Sequence, residues 1–281
     1  MPASSRLCVA TVLLLLSVTP AARAEWDGGF SYIPGTPNGP ENWGNLKPEW
    51  ATCSTGKRQS PINLDSLQLT LAPGLGYLNY TYQNAKASVV NHGNEIKVRF
   101  DGDAGSLVIN STAYHLRQMH WHTPSEHTID DRRYDMELHM VHLNAQNETA
   151  VIGILYDVGI QRDEFLYKLE PYIRKIVNQK DKEVLVYGGV DPNIAKGLDN
   201  IYYRFMGSFT TPPCIEGVTW TIIKEVRTVS FTQLALLRAA VLDGFENNAR
   251  PVQDVNKREI ELFFPLPLSI EHDVPIRDAS A

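Results

Sequence analysis

The sequence predicts a mainly β fold of the α+β class: a single domain with a sheet at its centre and helices at its periphery. Three observations carry this. Short runs of β-branched and aromatic residues recur along the chain, cut apart by Gly, Pro, Asn and Asp. Only two stretches place apolar residues at helical spacing. No internal repeat or linker divides the 281 residues, and that length suffices for one substantial core.

In chain order, the opening MPASSRLCVATVLLLLSVTPAARA carries Arg6, an apolar run from Cys8 to Val18, and small Ala22 and Ala24. That is the pattern of a signal peptide, residues 1–24, leaving a mature chain of residues 25–281 that starts at Glu25. The run is about half of the ~20 residues that span a bilayer, and no second one follows, so removal is expected and not a membrane anchor. The secretory pathway is the expected route. Strands are expected at 96–100, 106–109, 115–122, 137–143, 150–158, 218–225 and 259–264. A helix is expected over 164–177, where Phe165, Leu169, Ile173 and Ile176 share a face; Pro171 inside it predicts a kink or two shorter helices. A second helix follows Ser230, whose Ser230-Phe231-Thr232-Gln233 reads as a capping box.

Of three cysteines, Cys8 leaves with the signal, so Cys53 and Cys214 remain as a pair in an oxidising compartment. A disulfide is expected, worth about 5 kcal/mol in the chain-entropy account; two separate buried thiols are the alternative. The sequons at Asn79, Asn110 and Asn147 are glycosylation candidates that belong on exposed turns. With a net charge of −6 and scattered Lys and Arg there is no basic stripe, which argues against a nucleic-acid partner.

Five of the eight histidines lie between His120 and His142. On a strand, His120 and His122 of QMHWHTPSEH share a face and Trp121 takes the other. Alone, such a pair reads as structural more often than as a metal site. A neighbouring antiparallel strand, Glu137-Leu138-His139-Met140-Val141-His142, adds His139 on one face. Three neutral imidazoles leave the fourth position of a tetrahedral Zn²⁺ open, which is the catalytic pattern. Gln118 shares the face of His120 and Glu137 that of His139, so either could hold the outer nitrogen of a ligand ring.

The sequence resembles the α-class carbonic anhydrases, most like plant members. The likeness runs through NGPENW at 38–43, RQSPINL at 58–64, QMHWHTPSEHT at 118–128, ELHMVH at 137–142, GSFTTPP at 207–213 and ARPVQ at 249–253. It implies a large, mostly antiparallel twisted sheet of about ten strands with zinc at the base of a conical cleft. The implied ligands are His120, His122 and His139, with His127 and His142 as hydrogen-bonding structural residues. The implied activity is reversible hydration of carbon dioxide to bicarbonate and a proton, by attack of hydroxide on zinc. Zinc lowers its water's pKa to about 7, the value established for this family.

By the same resemblance Thr210 accepts the hydroxide's hydrogen and donates its own to Glu126, orienting the nucleophile. The substrate pocket maps to Val141, Val151, Phe209, Val218 and Trp220, each of which could equally be ordinary core. Thr211, Tyr32 and Gln118 resemble residues that order water or ligand. Anions and sulfonamides are implied inhibitors, and ester hydrolysis an implied side activity.

One position departs from the family. Asn94, in Asn91-His92-Gly93-Asn94, stands where fast members carry a proton-shuttling histidine, and an amide cannot carry the proton. His92 is the possible substitute, unless the turn at Gly93 sends it elsewhere. A slower, more buffer-dependent enzyme is expected. A storage or binding protein of the same fold is the alternative reading. The resemblance is compatible with an extracellular, vacuolar or chloroplast destination, and with a monomer or a dimer.

Overall fold

The alternating runs pair into one sheet around the histidine strands. In the computed structural model, which describes residues 29–197 and 200–265, thirteen strands form a single mixed sheet. The signal segment 1–24 and the mature start at Glu25 lie outside the described residues. The main path runs Glu183–Leu185, Ala87–Asn91, Ile96–Phe100, Thr112–His122, Met136–Leu143, Thr149–Gly159, Glu216–Ile223, Tyr202–Ser208, Ile260–Phe263, Leu69–Leu71. Antiparallel pairing prevails, but Thr149–Gly159 lies parallel to both Glu216–Ile223 and Arg227–Ser230, and Ile260–Phe263 parallel to Leu69–Leu71. The sheet is thus mostly antiparallel, as expected, and mixed through these parallel joins. Parallel neighbours need crossover connections, so these joins bring together segments distant in sequence, which local patterning cannot report.

Both faces of the central strands are covered. Met136–Leu143 and Thr149–Gly159 are buried along most of their length, so neither shows the alternation of a half-wetted strand. One face of the sheet carries Met119, Trp121, Leu138, Met140, Ile152 and Ile154, packed against the two helices. The other carries Val141, Val151, Leu155, Val218, Trp220 and Ile222, and beside them the site described below.

The first helix is Glu164–Ile173, shorter than the pattern predicts and not broken in two. Asp163 caps it, its carboxylate accepting from the Leu166 amide at 2.8 Å. Pro171 falls in the last turn, and the ladder continues past it to the Arg174 amide, which donates to the Glu170 carbonyl; Lys175 and Ile176 then donate three residues back, which keeps Ile176 in the core. The second helix, Phe231–Ala240, carries the capping box of Ser230 and Gln233. Gln233 also ties the helices together, accepting from the Asp163 amide at 2.8 Å and donating to its carbonyl at 2.9 Å.

The expected strands all form, within a few residues at their ends. Ala87–Asn91 and Tyr202–Ser208 lie outside the expected runs because Ser88, Asn91 and Arg204 are polar yet buried, which masks the apolar pattern. Cys53 and Cys214 form the disulfide, 161 residues apart in sequence. Asn79, Asn110 and Asn147 are all exposed. Asn110 and Asn147 sit at positive φ in the turns before Thr112–His122 and Thr149–Gly159, and Asn79 pairs with Val108 on the adjoining short strand. All three gather at the end of the sheet where Thr112–His122 begins, eight residues or roughly 27 Å of strand from His120.

Candidate metal centre

Antiparallel register places His139 directly opposite His120, Glu137 opposite His122, and Val141 opposite Gln118. Because side chains alternate, the three histidines emerge on one face while Trp121 packs into the helix-side core. Their ring centroids lie 5.0, 5.1 and 4.6 Å apart, and one nitrogen from each ring lies within 4.8 Å of the other two.

The outer nitrogen of each ring is tied down. His120 Nδ1 donates to Gln118 Oε1 at 2.8 Å, His122 Nδ1 to the Asn248 carbonyl at 2.8 Å, and His139 Nε2 to Glu137 Oε1 at 2.9 Å. All three partners are acceptors, so these nitrogens carry the protons and His120 Nε2, His122 Nε2 and His139 Nδ1 turn lone pairs toward one another. His122 Nε2 is buried with no hydrogen-bond partner among the described residues. His120 Nε2 and His139 Nδ1 are 3.3 Å apart, and Zn–N bonds of about 2.05 Å at the tetrahedral angle span about 3.3 Å. Lone pairs that close repel unless a cation sits between them. The residues therefore fit a metal ion, and burial pushes the pKa values of His120 and His139 down, which favours the neutral, ligating form.

Glu137 is fully buried and accepts four donors: the amides of Glu126 and His127 at 2.8 Å each, His127 Nδ1 at 2.7 Å, and His139 Nε2. Burial alone would raise its carboxyl's pKa, but His127 and His139 more than offset this and hold it well below the usual range. His127 and Glu137, though close enough to His139 to resemble a second cluster, are thereby committed to each other as support. His142 lies on the helix side, bonded to the Tyr82 hydroxyl at 2.6 Å.

The histidines open into a cleft of about 210 Å³. Val141, Val151, Phe209 and Trp220 form its apolar wall, Val218 backs them in the same cluster, and Thr210 and Thr211 line it. Glu95, Lys97 and Gln118 form the polar wall. Glu126 is fully buried: its Oε1 accepts from the Arg250 amide at 2.9 Å, while Oε2, 3.5 Å from His122 Nε2, has no hydrogen-bond partner among the described residues. Thr210 is thus brought into the cleft beside the histidines without a hydrogen bond to Glu126 Oε2.

Tyr32 is buried; burial first, then Glu126 and Glu95, raise its hydroxyl's pKa, and its hydroxyl bonds the Asn94 side chain. Asn94 is itself buried, its carbonyl accepting from Asn248 Nδ2 at 2.7 Å. His92 lies half-buried in the preceding turn, its pKa lowered by burial and then by Lys97, and it is not among the residues lining the cleft.

Sequence reasoning missed four residues: Glu95, Lys97, Asn248 and Arg250. Arg250 is buried, donates to the carbonyls of Cys53 and Ser60 and to Gln59, and thereby ties the disulfide to the segment holding Glu126. Its neighbours in ARPVQ were the available signal.

A mixed sheet with a buried three-histidine pocket, each ring braced from behind, defines a β protein with a donor set that could hold a metal ion and is of the catalytic type. The sequence profile of the eukaryotic-type carbonic anhydrases matches residues 38–264. The chain belongs to that zinc-dependent family, the α class. Alpha carbonic anhydrase 7 of Arabidopsis thaliana is 42% identical over 260 residues, covering 91% of this chain and 94% of the relative. The structure of dioscorin complexed with ascorbate superposes with a TM-score of 0.82 at 46% identity, covering 84% of this chain and 98% of that one. The α-carbonic anhydrase of Thermovibrio ammonificans with the inhibitor sulfanilamide gives a TM-score of 0.75 at 35% identity, covering 83% and 98%.

Proposed function

We propose that this protein catalyses the reversible hydration of carbon dioxide to bicarbonate and a proton, with Zn²⁺ held by His120, His122 and His139. The observation that carries the reading is the set of three inward lone pairs, each fixed by an outer hydrogen bond. When bound, zinc supplies a water acidic enough to lose its proton near pH 7 and so to attack the carbon of the substrate.

The chain's own residues do the rest. Gln118, Glu137 and the Asn248 carbonyl hold the rings in the ligating tautomer. Val141, Val151, Phe209, Val218 and Trp220 offer an apolar wall to an apolar substrate and displace water from it. Thr210 Oγ1 accepts a hydrogen bond from the attacking oxygen and donates one to Glu126 Oε2, whose unfilled acceptor capacity supports this orienting chain. Thr211 and Tyr32 order what enters the cleft. Asn94 cannot relay the product proton, so buffer takes it, with His92 as the secondary path.

The same nucleophile hydrolyses activated esters. Anions and sulfonamides are its inhibitors, in keeping with the sulfanilamide complex of the Thermovibrio relative. A storage or binding role is the second reading, favoured by the similarity to dioscorin, solved with ascorbate. The chain enters the secretory pathway, is modified at Asn79, Asn110 and Asn147, and works outside the cell, or in the vacuole or chloroplast. Among the described residues no helix is long and apolar enough to cross a membrane.

Stopped-flow hydration of carbon dioxide by the mature chain, with zinc content measured, tests the reading. A rate abolished by chelation and restored by Zn²⁺ is expected, together with loss of aryl esterase activity in His139→Ala. A fully zinc-loaded protein no faster than buffer would overturn it in favour of the second reading.

A further inference from the structure

Opposite the apolar wall the cleft carries an ion pair that the proposed chemistry does not use. Glu95 and Lys97 are two residues apart, so they share a face, and Lys97 lies directly opposite His120 in the sheet register. Lys97 Nζ donates to Glu95 Oε1 at 2.8 Å, and Glu95 Oε2 lies 3.7 Å from His120 Nε2, the nitrogen turned toward the metal position. The two side chains are only 20% and 12% exposed, so neither is screened as a surface charge would be. Both line the cleft together with His120 and Gln118. Arg99, next along the same face, is held by Asp101 and Glu183 and stands outside the cleft lining.

A lone ammonium here would draw anions to the metal; a lone carboxylate would repel them. Paired, the two nearly cancel and leave the cleft selective for an uncharged molecule. We propose that the Glu95–Lys97 pair is the anion-selectivity element of this cleft, Lys97 attracting bicarbonate and competing anions and Glu95 holding that attraction down. The inference rests on the metal site proposed above and adds to it the means by which carbon dioxide is favoured over charged competitors. At the effective dielectric of a partly buried site, an unbalanced unit charge within several ångströms changes ion binding by about tenfold or more.

The test is azide binding to Co²⁺-substituted protein, followed by visible absorption, in wild type, Glu95→Gln, Lys97→Gln and the double variant. Glu95→Gln should bind azide about tenfold more tightly and Lys97→Gln about tenfold more weakly, with the double variant within about threefold of wild type. Single variants that both stay within threefold of wild type, or that shift in the same direction, overturn the selectivity role while normal Co²⁺ uptake leaves the metal site standing. A wild-type chain that takes up no Co²⁺ overturns both.

Discussion

Replacing His142 by Gln should flatten the acid side of the stability profile. His142 is fully buried; its Nδ1 donates to the Ala150 carbonyl at 3.2 Å, and its Nε2 accepts from the Tyr82 hydroxyl at 2.6 Å. That arrangement needs the neutral ring, and burial lowers the histidine's pKa from 6.5 to about 4. The folded value is below the unfolded one, so between those values the unfolded chain binds more protons and stability rises with pH. The contribution is complete above about pH 6.5 and is lost as pH falls toward 4. A shift of roughly 2.5 units is worth about 3 kcal/mol in full, or roughly 1 kcal/mol per pH unit in mid-window. Urea unfolding of the zinc-saturated protein at half-unit steps from pH 7 to 4.5 reads this directly. Most of the window lies above the carboxylate range, and groups common to both proteins cancel in the difference. The wild-type curve should fall more steeply than that of His142→Gln by about that slope. Parallel curves would mean that the buried ring takes up its proton as readily as the unfolded one, and would refute the reasoning.

Loss of the disulfide in Cys53→Ser/Cys214→Ser releases a loop of 161 residues, and denaturant unfolding should show a loss of about 5 kcal/mol. Glu137→Gln removes the carboxylate behind His139, and competition against a chelator should show zinc bound 10- to 100-fold more weakly, by the usual effect of an outer hydrogen-bond partner. Asn94→His should raise the maximal hydration rate severalfold in weak buffer with little change in kcat/KM, since proton export and not the attack on substrate is what it supplies. An unchanged maximal rate would show that the proton already leaves by another route.

The convergence of the three histidines was legible because it is local in two ways: His120 and His122 obey the strand period, and His139 sits on the next strand of an antiparallel pair. Gln118 and Glu137 were legible for the same reason. Asn248 was not, because its carbonyl reaches His122 across 126 residues of sequence, and a backbone acceptor leaves no mark on residue type. Glu95 and Lys97 carried no signal of their own in the sequence; only the neighbouring Thr112–His122 strand makes their side of Ile96–Phe100 a cleft wall. The parallel joins of the sheet were hidden in the same way, while the capping box at Ser230, a four-residue signal, was plain. Pro171 misled in one respect: the helix that holds it in its last turn is a single segment and not two.

The three sequon asparagines share one end of the sheet, far along the strand from the histidines. The molecule consequently has a handle set well apart from its cleft. Anything tethered at the turns of Asn110 or Asn147, whether a sugar, a polymer or a solid support, attaches roughly 27 Å of strand from the histidines, so the bulk of the tether falls away from the residues that line the cleft.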